Sequence, residues 1–214
     1  HGGLAAGRGV PILWPMIMEG GFQVNINGER FSNESLGYSE QAVKVVSQPK
    51  KIAWNIFDER LHELMKEFED YNNAIEAKAI IKADNAAELS ALTGINKDSL
   101  DKTIKEVEEM VEGKRKDSFG RDFTIKPKLE SPYYTVKVTG ALFHTQGGLV
   151  VNEHAQVMDK NKVPLPNLFA GGGSARGISG PSDWGYIAGN GLLTATTFGR
   201  LAGLSAANLV KTDK

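Results

Sequence analysis

Apolar and polar residues alternate in the first part of the chain around a turn signal. Residues 22–31 alternate about Asn27-Gly28, a pair that favours a two-residue turn, so we expect a hairpin here. The apolar run at residues 52–57 predicts a strand that leads into a helix, with Asp58 as the N-cap. This mixture of elements indicates an α+β lobe.

Helical periodicity follows, and two helices are predicted between residues 84 and 112. The first is short; it opens at Asp84 and ends at Gly94. The second places its apolar residues at spacings of four, three and four, on one face of a helix. These residues are Leu100, Ile104, Val107 and Val111. The polar stretch after it contains two prolines and is the predicted boundary between two lobes.

From residue 133 the pattern changes to β-branched and aromatic residues with few charges. Strands are predicted at residues 133–143, 147–152, 155–161 and 168–170, followed by a buried helix at residues 187–211. The last strand and this helix are joined by "LFAGGGSARGISGPSDWGYIAGNG", which holds eight of the chain's 24 glycines. The second lobe is therefore predicted to be an antiparallel sheet that leads into a glycine-rich loop and a long helix.

Composition excludes several classes of function. The net charge of −1 gives no reason to expect a nucleic-acid partner, and no apolar run is long enough for a membrane helix. The chain has no cysteine, which excludes thiolate chemistry and disulfides, and none of its four histidines form an i, i+4 pair. We expect a cytoplasmic protein with no metal site.

A strand, a glycine-rich turn and a helix together are typical of a site for a phosphorylated or flat ligand, because bare amides lie open there. The spacing of Gly171, Gly173 and Gly177 does not match the dinucleotide fingerprint, and no acidic residue follows at the ribose position. A flexible loop with close-packed glycines remains an alternative from this pattern alone.

Four motifs, in order, resemble the C-terminal part of the fumarate reductase, succinate dehydrogenase and 3-ketosteroid dehydrogenase flavoproteins. They are "NGERFSNES", "VTGALFHTQGGLVVNEHAQVMD", "PLPNLFAGG" and "GNGLLTATTFGRLAG". The resemblance implies an α+β cap (catalytic) domain at residues 1–130. It further implies that residues 131–214 are the β-meander and helix that complete a Rossmann-like FAD-binding domain, whose first βαβ unit lies upstream in that family.

The resemblance implies FAD as the cofactor, lying against the glycine loop and the start of the last helix. The implied FAD-binding residues are Gly172, Gly173, Gly189, Asn190, Gly191 and Leu192. A positive helix N-terminus there would stabilise the negative charge of reduced flavin. Family members often have Glu where this chain has Gly172, which is a departure from the pattern. Without the upstream unit, this chain alone is expected to bind FAD weakly or not at all, and to be inactive.

The resemblance also implies the catalytic residues. Tyr38 takes the place of the fumarate reductases' proton-relaying arginine and matches a tyrosine of the steroid dehydrogenases. His144 is a candidate partner for a substrate carbonyl, or a structural strand histidine, and Tyr186 lies one residue out of register with a second family tyrosine. Leu13-Trp14 stands where a Thr-Glu pair would orient a dicarboxylate.

Three functions are compatible with these residues. The first is an FAD-dependent dehydrogenase or reductase that acts on a CH–CH bond next to a carbonyl of a small, apolar or keto-containing substrate. The second is a reductase of an unsaturated carboxylic acid, and the third is a non-catalytic folded fragment that lacks cofactor. The expected partners are the small-molecule substrate and either the upstream part or a second copy of the chain.

The remaining candidate residues have plain structural alternatives. Trp14, Met16, Met18 and Trp184 could line an apolar pocket or belong to the core. Arg30 and Glu34 are predicted to form a structural ion pair, and His62 and His154 are predicted to be solvated.

Overall fold

The computed structural model describes residues 1–143 and 145–212, which fall into two compact units, His1–Ala141 and Leu142–Lys214. The strands are β1 (Leu4–Ala5), β2 (Phe22–Val24), β3 (Ala53–Asp58), β4 (Ile80–Ala83), β5 (Tyr133–Thr139), β6 (Gln156–Met158) and β7 (Pro164–Phe169). The helices are α1 (Pro15–Met18), α2 (Tyr38–Val46), α3 (Glu59–Met65), α4 (Glu69–Glu76), α5 (Ala86–Thr93), α6 (Lys97–Val111) and α7 (Asn190–Thr212).

The first unit is an antiparallel sheet with helices, as the predicted α+β lobe requires. Strand β5 is central: β3 pairs with one of its edges, and β4 and β1 share the other. All six residues of β3 are buried, so both faces of the sheet are covered. The core includes the fully buried side chains of Phe22, Phe57 and Tyr71.

Local signals predict three of the six α-helices of this unit, α3, α5 and α6. Asp58 caps α3, its carboxylate accepting a hydrogen bond from the Leu61 amide at 3.0 Å. The two helices predicted between residues 84 and 112 are confirmed as α5 and α6, and Gly94 ends α5 in a left-handed conformation with φ of 76°. The N-cap of α5 is Asn85, one residue after the predicted Asp84.

The predicted hairpin at residues 22–31 is wrong in its second strand. The turn forms, since the Gly28 amide donates to the Asn25 carbonyl at 3.0 Å, but β2 pairs with β3 and no strand returns beside it. The Glu34 carboxylate accepts from the Gln23 amide at 3.1 Å. A side chain therefore takes the backbone donor that a hairpin partner would have used.

The two compact units divide after Ala141, whereas the predicted domain boundary is at residue 130, and β5 therefore lies within the first unit. The six-residue ladder between β3 and β5 places this strand in the first unit's sheet. Pattern alone could not show this, because a buried strand reads the same whichever sheet it joins.

The second unit is small, and its predicted meander is reduced to the β6–β7 ribbon with isolated bridges, such as Leu149 with Ala175. Its core contains Val157, Ala170 and Ala175, with Val151 and Phe198 packed against them. Two strands offer too little apolar surface to extend that core.

Helix α7 has 23 residues, which confirms a long final helix, but it begins at Asn190 and is not buried. Leu192, Leu193 and Leu204 are 78%, 54% and 53% exposed. The ribbon covers only the side of α7 around Phe198, so most of its apolar surface stays open. Within the described residues, no helix is both long and apolar enough to cross a bilayer.

Candidate functional site

Tyr38 is the first residue of α2 and follows Gly37, whose φ of 140° turns the chain into the helix. Its ring stacks on the His1 ring, with centroids 4.7 Å apart, and meets Trp14 edge-on at 6.4 Å. Tyr38 thus lies in an aromatic cluster at the first turn of α2.

His1 is a site residue that sequence reasoning missed. Its Nδ1 accepts a hydrogen bond from the Gly3 amide at 3.1 Å, so the neutral ring carries its proton on Nε2. The Ala141 amide donates to the His1 carbonyl at 2.9 Å. No local pattern signals this position, because a contact across the whole unit brings His1 to Tyr38.

A buried chain of amides is hydrogen-bonded to the segments that carry these aromatic rings. Gln41 of α2 donates to Gln23 of β2 at 2.8 Å, and Gln23 donates to Asn55 of β3 at 2.8 Å. Gln23 also donates to the Gly2 carbonyl at 3.3 Å, and the Gly2 amide donates to the Tyr38 carbonyl at 2.8 Å. These bonds join the start of α2 to the sheet, and they set the position of Tyr38.

Four charged side chains form a buried network next to this site, which includes the predicted Arg30–Glu34 pair. Arg30 contacts Glu34 through Nε at 2.9 Å and Nη2 at 2.7 Å, and contacts Asp117 at 2.7 Å. Arg121 donates to Glu34 at 3.2 Å. Burial alone would raise the pKa of the Glu34 carboxyl, but the hydrogen bonds and charge of Arg30 and the charge of Arg121 hold that pKa below its usual value.

His62 is partly buried rather than solvated, which corrects the prediction. Its ring stacks on Tyr134 at 4.3 Å, and Nδ1 lies 2.7 Å from the Tyr71 hydroxyl. Burial, with the nearby charge of Lys66, lowers the pKa of His62.

The four residues predicted to line an apolar pocket or to belong to the core differ in exposure. Trp14 and Met16 are buried, whereas Met18 is exposed and Trp184 is 69% exposed.

Glu59, His62 and Glu63 place ligand atoms within 4.8 Å of one another. Both carboxylates already have a cation: Lys82 lies 3.1 Å from Glu59, and Lys66 lies 2.5 Å from Glu63. We therefore assign this group as ion pairs on the surface of α3.

In the second unit, the glycine loop and the start of α7 line an open cavity. All six residues predicted to bind FAD line it: Gly172, Gly173, Gly189, Asn190, Gly191 and Leu192. Tyr186, Thr145 and Gln146 line it as well. The structure brings Tyr186 to this cavity and Tyr38 to the first unit; His144 lies outside the described residues.

The glycines of the loop serve two purposes. A Cβ at Gly171 would lie 3.1 Å from the Phe198 Cβ, and one at Gly185 would lie 2.5 Å from the Pro181 carbonyl oxygen, so these two allow close packing. A Cβ at Gly173, Gly189 or Gly191 would meet nothing within 4 Å. These three leave bare backbone facing open space, as a flat ring system needs, so the residues present fit a flavin.

Comparison with known proteins identifies the family. A profile of the FAD binding domain matches residues 8–192. The chain belongs to this FAD-binding family. Both the resemblance and the FAD cofactor it implied are thereby confirmed.

Similar proteins include a probable fumarate reductase of Shewanella frigidimarina (strain NCIMB 400), 32% identical over 188 residues, which are 88% of this chain and 31% of that protein. Among solved structures, the open conformation of a flavocytochrome c3 fumarate reductase superposes with a TM-score of 0.74 at 30% identity, covering 97% of this chain and 36% of that one. A 3-ketosteroid delta1-dehydrogenase from Sterolibacterium denitrificans, at 24% identity and a TM-score of 0.59, shares the fold; it covers 100% of this chain and 41% of that one. The chain thus spans about a third of the length of the first two.

Proposed function

We propose that this chain is the cap and closing segment of an FAD-dependent oxidoreductase that acts on a CH–CH bond next to a carbonyl. The observation that carries the proposal is Tyr38 at the N-terminus of α2, packed between His1 and Trp14. FAD, when bound, would exchange a hydride with the substrate carbon β to the carbonyl. Tyr38 would exchange the proton at the neighbouring carbon.

The direction of reaction sets what Tyr38 must do. In reduction the neutral phenol donates its proton to the α-carbon, and neutral phenol is the ordinary state of tyrosine near pH 7, since its unperturbed pKa is about 10. In oxidation a phenolate must accept that proton, which requires stabilisation of the anion. Both directions need the same hydroxyl at the same carbon, so Tyr38 serves as proton donor in reduction and as proton acceptor in oxidation.

The aromatic neighbours favour a neutral substrate with one carbonyl. A dicarboxylate needs cations that bind it bidentately. Arg30 and Arg121, the two arginines of the neighbouring buried network, are already paired with Glu34 and Asp117. The second candidate, a reductase of an unsaturated acid, is supported by the similarity to proteins named fumarate reductases.

The deciding experiment measures reduction of a neutral cyclic enone and of fumarate by the full-length flavoprotein. We expect turnover with the enone and little with fumarate. Turnover confined to fumarate would support the second candidate instead. A preparation without the yellow flavin absorbance would support the third hypothesis, a folded fragment without cofactor.

Tyr38→Phe then tests the catalytic residue. We expect kcat to fall by about 10²–10⁴-fold, the usual effect of removing a positioned acid or base, with KM nearly unchanged. Tyr133→Phe is the matched control. Tyr133 begins β5, whereas His1, which stacks on Tyr38, is hydrogen-bonded to Ala141 beyond the end of that strand. Normal turnover in Tyr38→Phe would refute the role.

A further inference from the structure

One buried side chain joins three segments of the second unit. The Asn190 carboxamide donates to Gln146 Oε1 at 2.7 Å and to Ser179 Oγ at 2.7 Å, and Asn190 is 1% exposed. Asn190 begins α7, Ser179 belongs to the glycine loop, and Gln146 belongs to the segment that opens the unit. A single amide thus connects segments that have no strand or helix in common.

The same partners hold both ends of the loop that carries Tyr186. Ser179 Oγ also accepts from the Ile187 amide at 3.0 Å, and the Gly177 amide donates to the Gln146 carbonyl at 2.9 Å. Residues 177 and 187 are therefore tied to the two groups that Asn190 contacts.

The two N–H groups of the Asn190 carboxamide are both engaged in these bonds. Its side chain has no further N–H to offer a ligand, and its Oδ1 acceptor is not used in these bonds. The resemblance places Asn190 among the flavin-contacting residues, and the geometry gives its N–H groups a positioning task within the loop.

We propose that Asn190 is a positioning residue: its side chain locks residues 177–187 and Gln146 onto the first turn of α7. The lock holds the open backbone of Gly189 and Gly191, and Tyr186, in place before a ligand arrives. The effect of the lock on flavin affinity rests on the proposed function, whereas the hydrogen bonds of the lock do not. A loop that is ordered in advance does not have to lose conformational freedom on binding, so affinity is higher.

The experiment compares Asn190→Ala, Ser179→Ala and the double variant in the full-length protein. Thr196→Val is the matched control, because Thr196 is an exposed residue of the same helix that bonds only to the helix's own carbonyls at Leu192 and Leu193. Hydrogen exchange of the Gly177 and Ile187 amides is measured without FAD, and the Kd for FAD is measured separately.

In Asn190→Ala we expect exchange of these two amides to be roughly 10-fold faster, with the amides of β5 unchanged. We expect the Kd for FAD to rise roughly 10-fold in Asn190→Ala and less in Ser179→Ala, and the double variant to be no worse than Asn190→Ala. Such non-additivity would not arise from general destabilisation.

Two results would overturn the proposal. The first is unchanged exchange at Gly177 and Ile187 in Asn190→Ala. The second is parental FAD affinity in Ser179→Ala combined with weak affinity in Asn190→Ala, which would make Asn190 a direct ligand. If the parent protein itself binds no FAD, the proposed function fails, and the exchange measurement alone decides whether the lock exists.

Discussion

Replacing Glu34 with Gln should be among the most destabilising isosteric changes in the first unit. Glu34 is 1% exposed, and its two oxygens accept from four N–H groups, on Arg30 twice, Arg121 and Gln23. Whichever oxygen becomes the amide NH₂, two of these donors then face another donor. The change also leaves two buried guanidinium groups with only the Asp117 carboxylate to balance them.

Breaking a buried ion pair by removing one partner costs about 3–5 kcal/mol, because the remaining charge stays buried without compensation. The control is Glu63→Gln, which breaks an exposed pair with Lys66 on α3 and should cost less than about 1 kcal/mol. Urea unfolding monitored by tryptophan fluorescence measures both, since Trp14 and Trp54 lie in the first unit's core. Equal midpoints for the two variants would refute the structural assignment of Glu34.

The pH dependence provides an internal check on the same residue. The pKa of Glu34 is lowered in the folded state, so its stabilisation is fully present above the unfolded pKa of about 4.3 and is lost as pH falls through the folded value. The difference in stability between the parent and Glu34→Gln should therefore be constant near neutral pH and shrink below about pH 4. A difference that grows on acidification would contradict the sign of the pKa shift.

Two further changes test the caps and the cavity. Asp58→Ala removes the N-cap of α3 and should lower the free energy of unfolding by about 1 kcal/mol, measured by thermal or urea unfolding. Asp98→Ala is the control, because Asp98 lies in the first turn of α6 but does not cap it. Gly173→Val adds a side chain where a Cβ meets nothing within 4 Å, so the protein should still fold. The added side chain should weaken FAD binding by about 10-fold or more, because it fills space that the flavin needs. The control, Gly203→Ala on α7, should leave FAD binding unchanged. Full FAD affinity in Gly173→Val, measured by flavin fluorescence, would exclude this face of the loop from the flavin site.

Much of the local structure was predictable because its causes are local. The Asp58 cap, the Gly94 helix end and the apolar face of α6 each depend on residues within a few positions, and all three are present. The glycines of residues 171–191 are visible in the sequence for the same reason, although the pattern alone is compatible with either a ligand loop or a close-packed loop.

Other features depend on contacts between distant segments, which a linear pattern does not contain. The sequence by itself determined α3, α5, α6, the presence of a long final helix, and the family motifs. Only the tertiary structure decided that β5 joins the first sheet, that Glu34 takes the open edge of β2, and that His1 stacks on Tyr38. Only it separated Gly171, which packs against Phe198, from Gly173, which faces open space. The physical reason is that pairing, burial of charge and close approach are set by which surfaces meet, and that is decided when the chain folds.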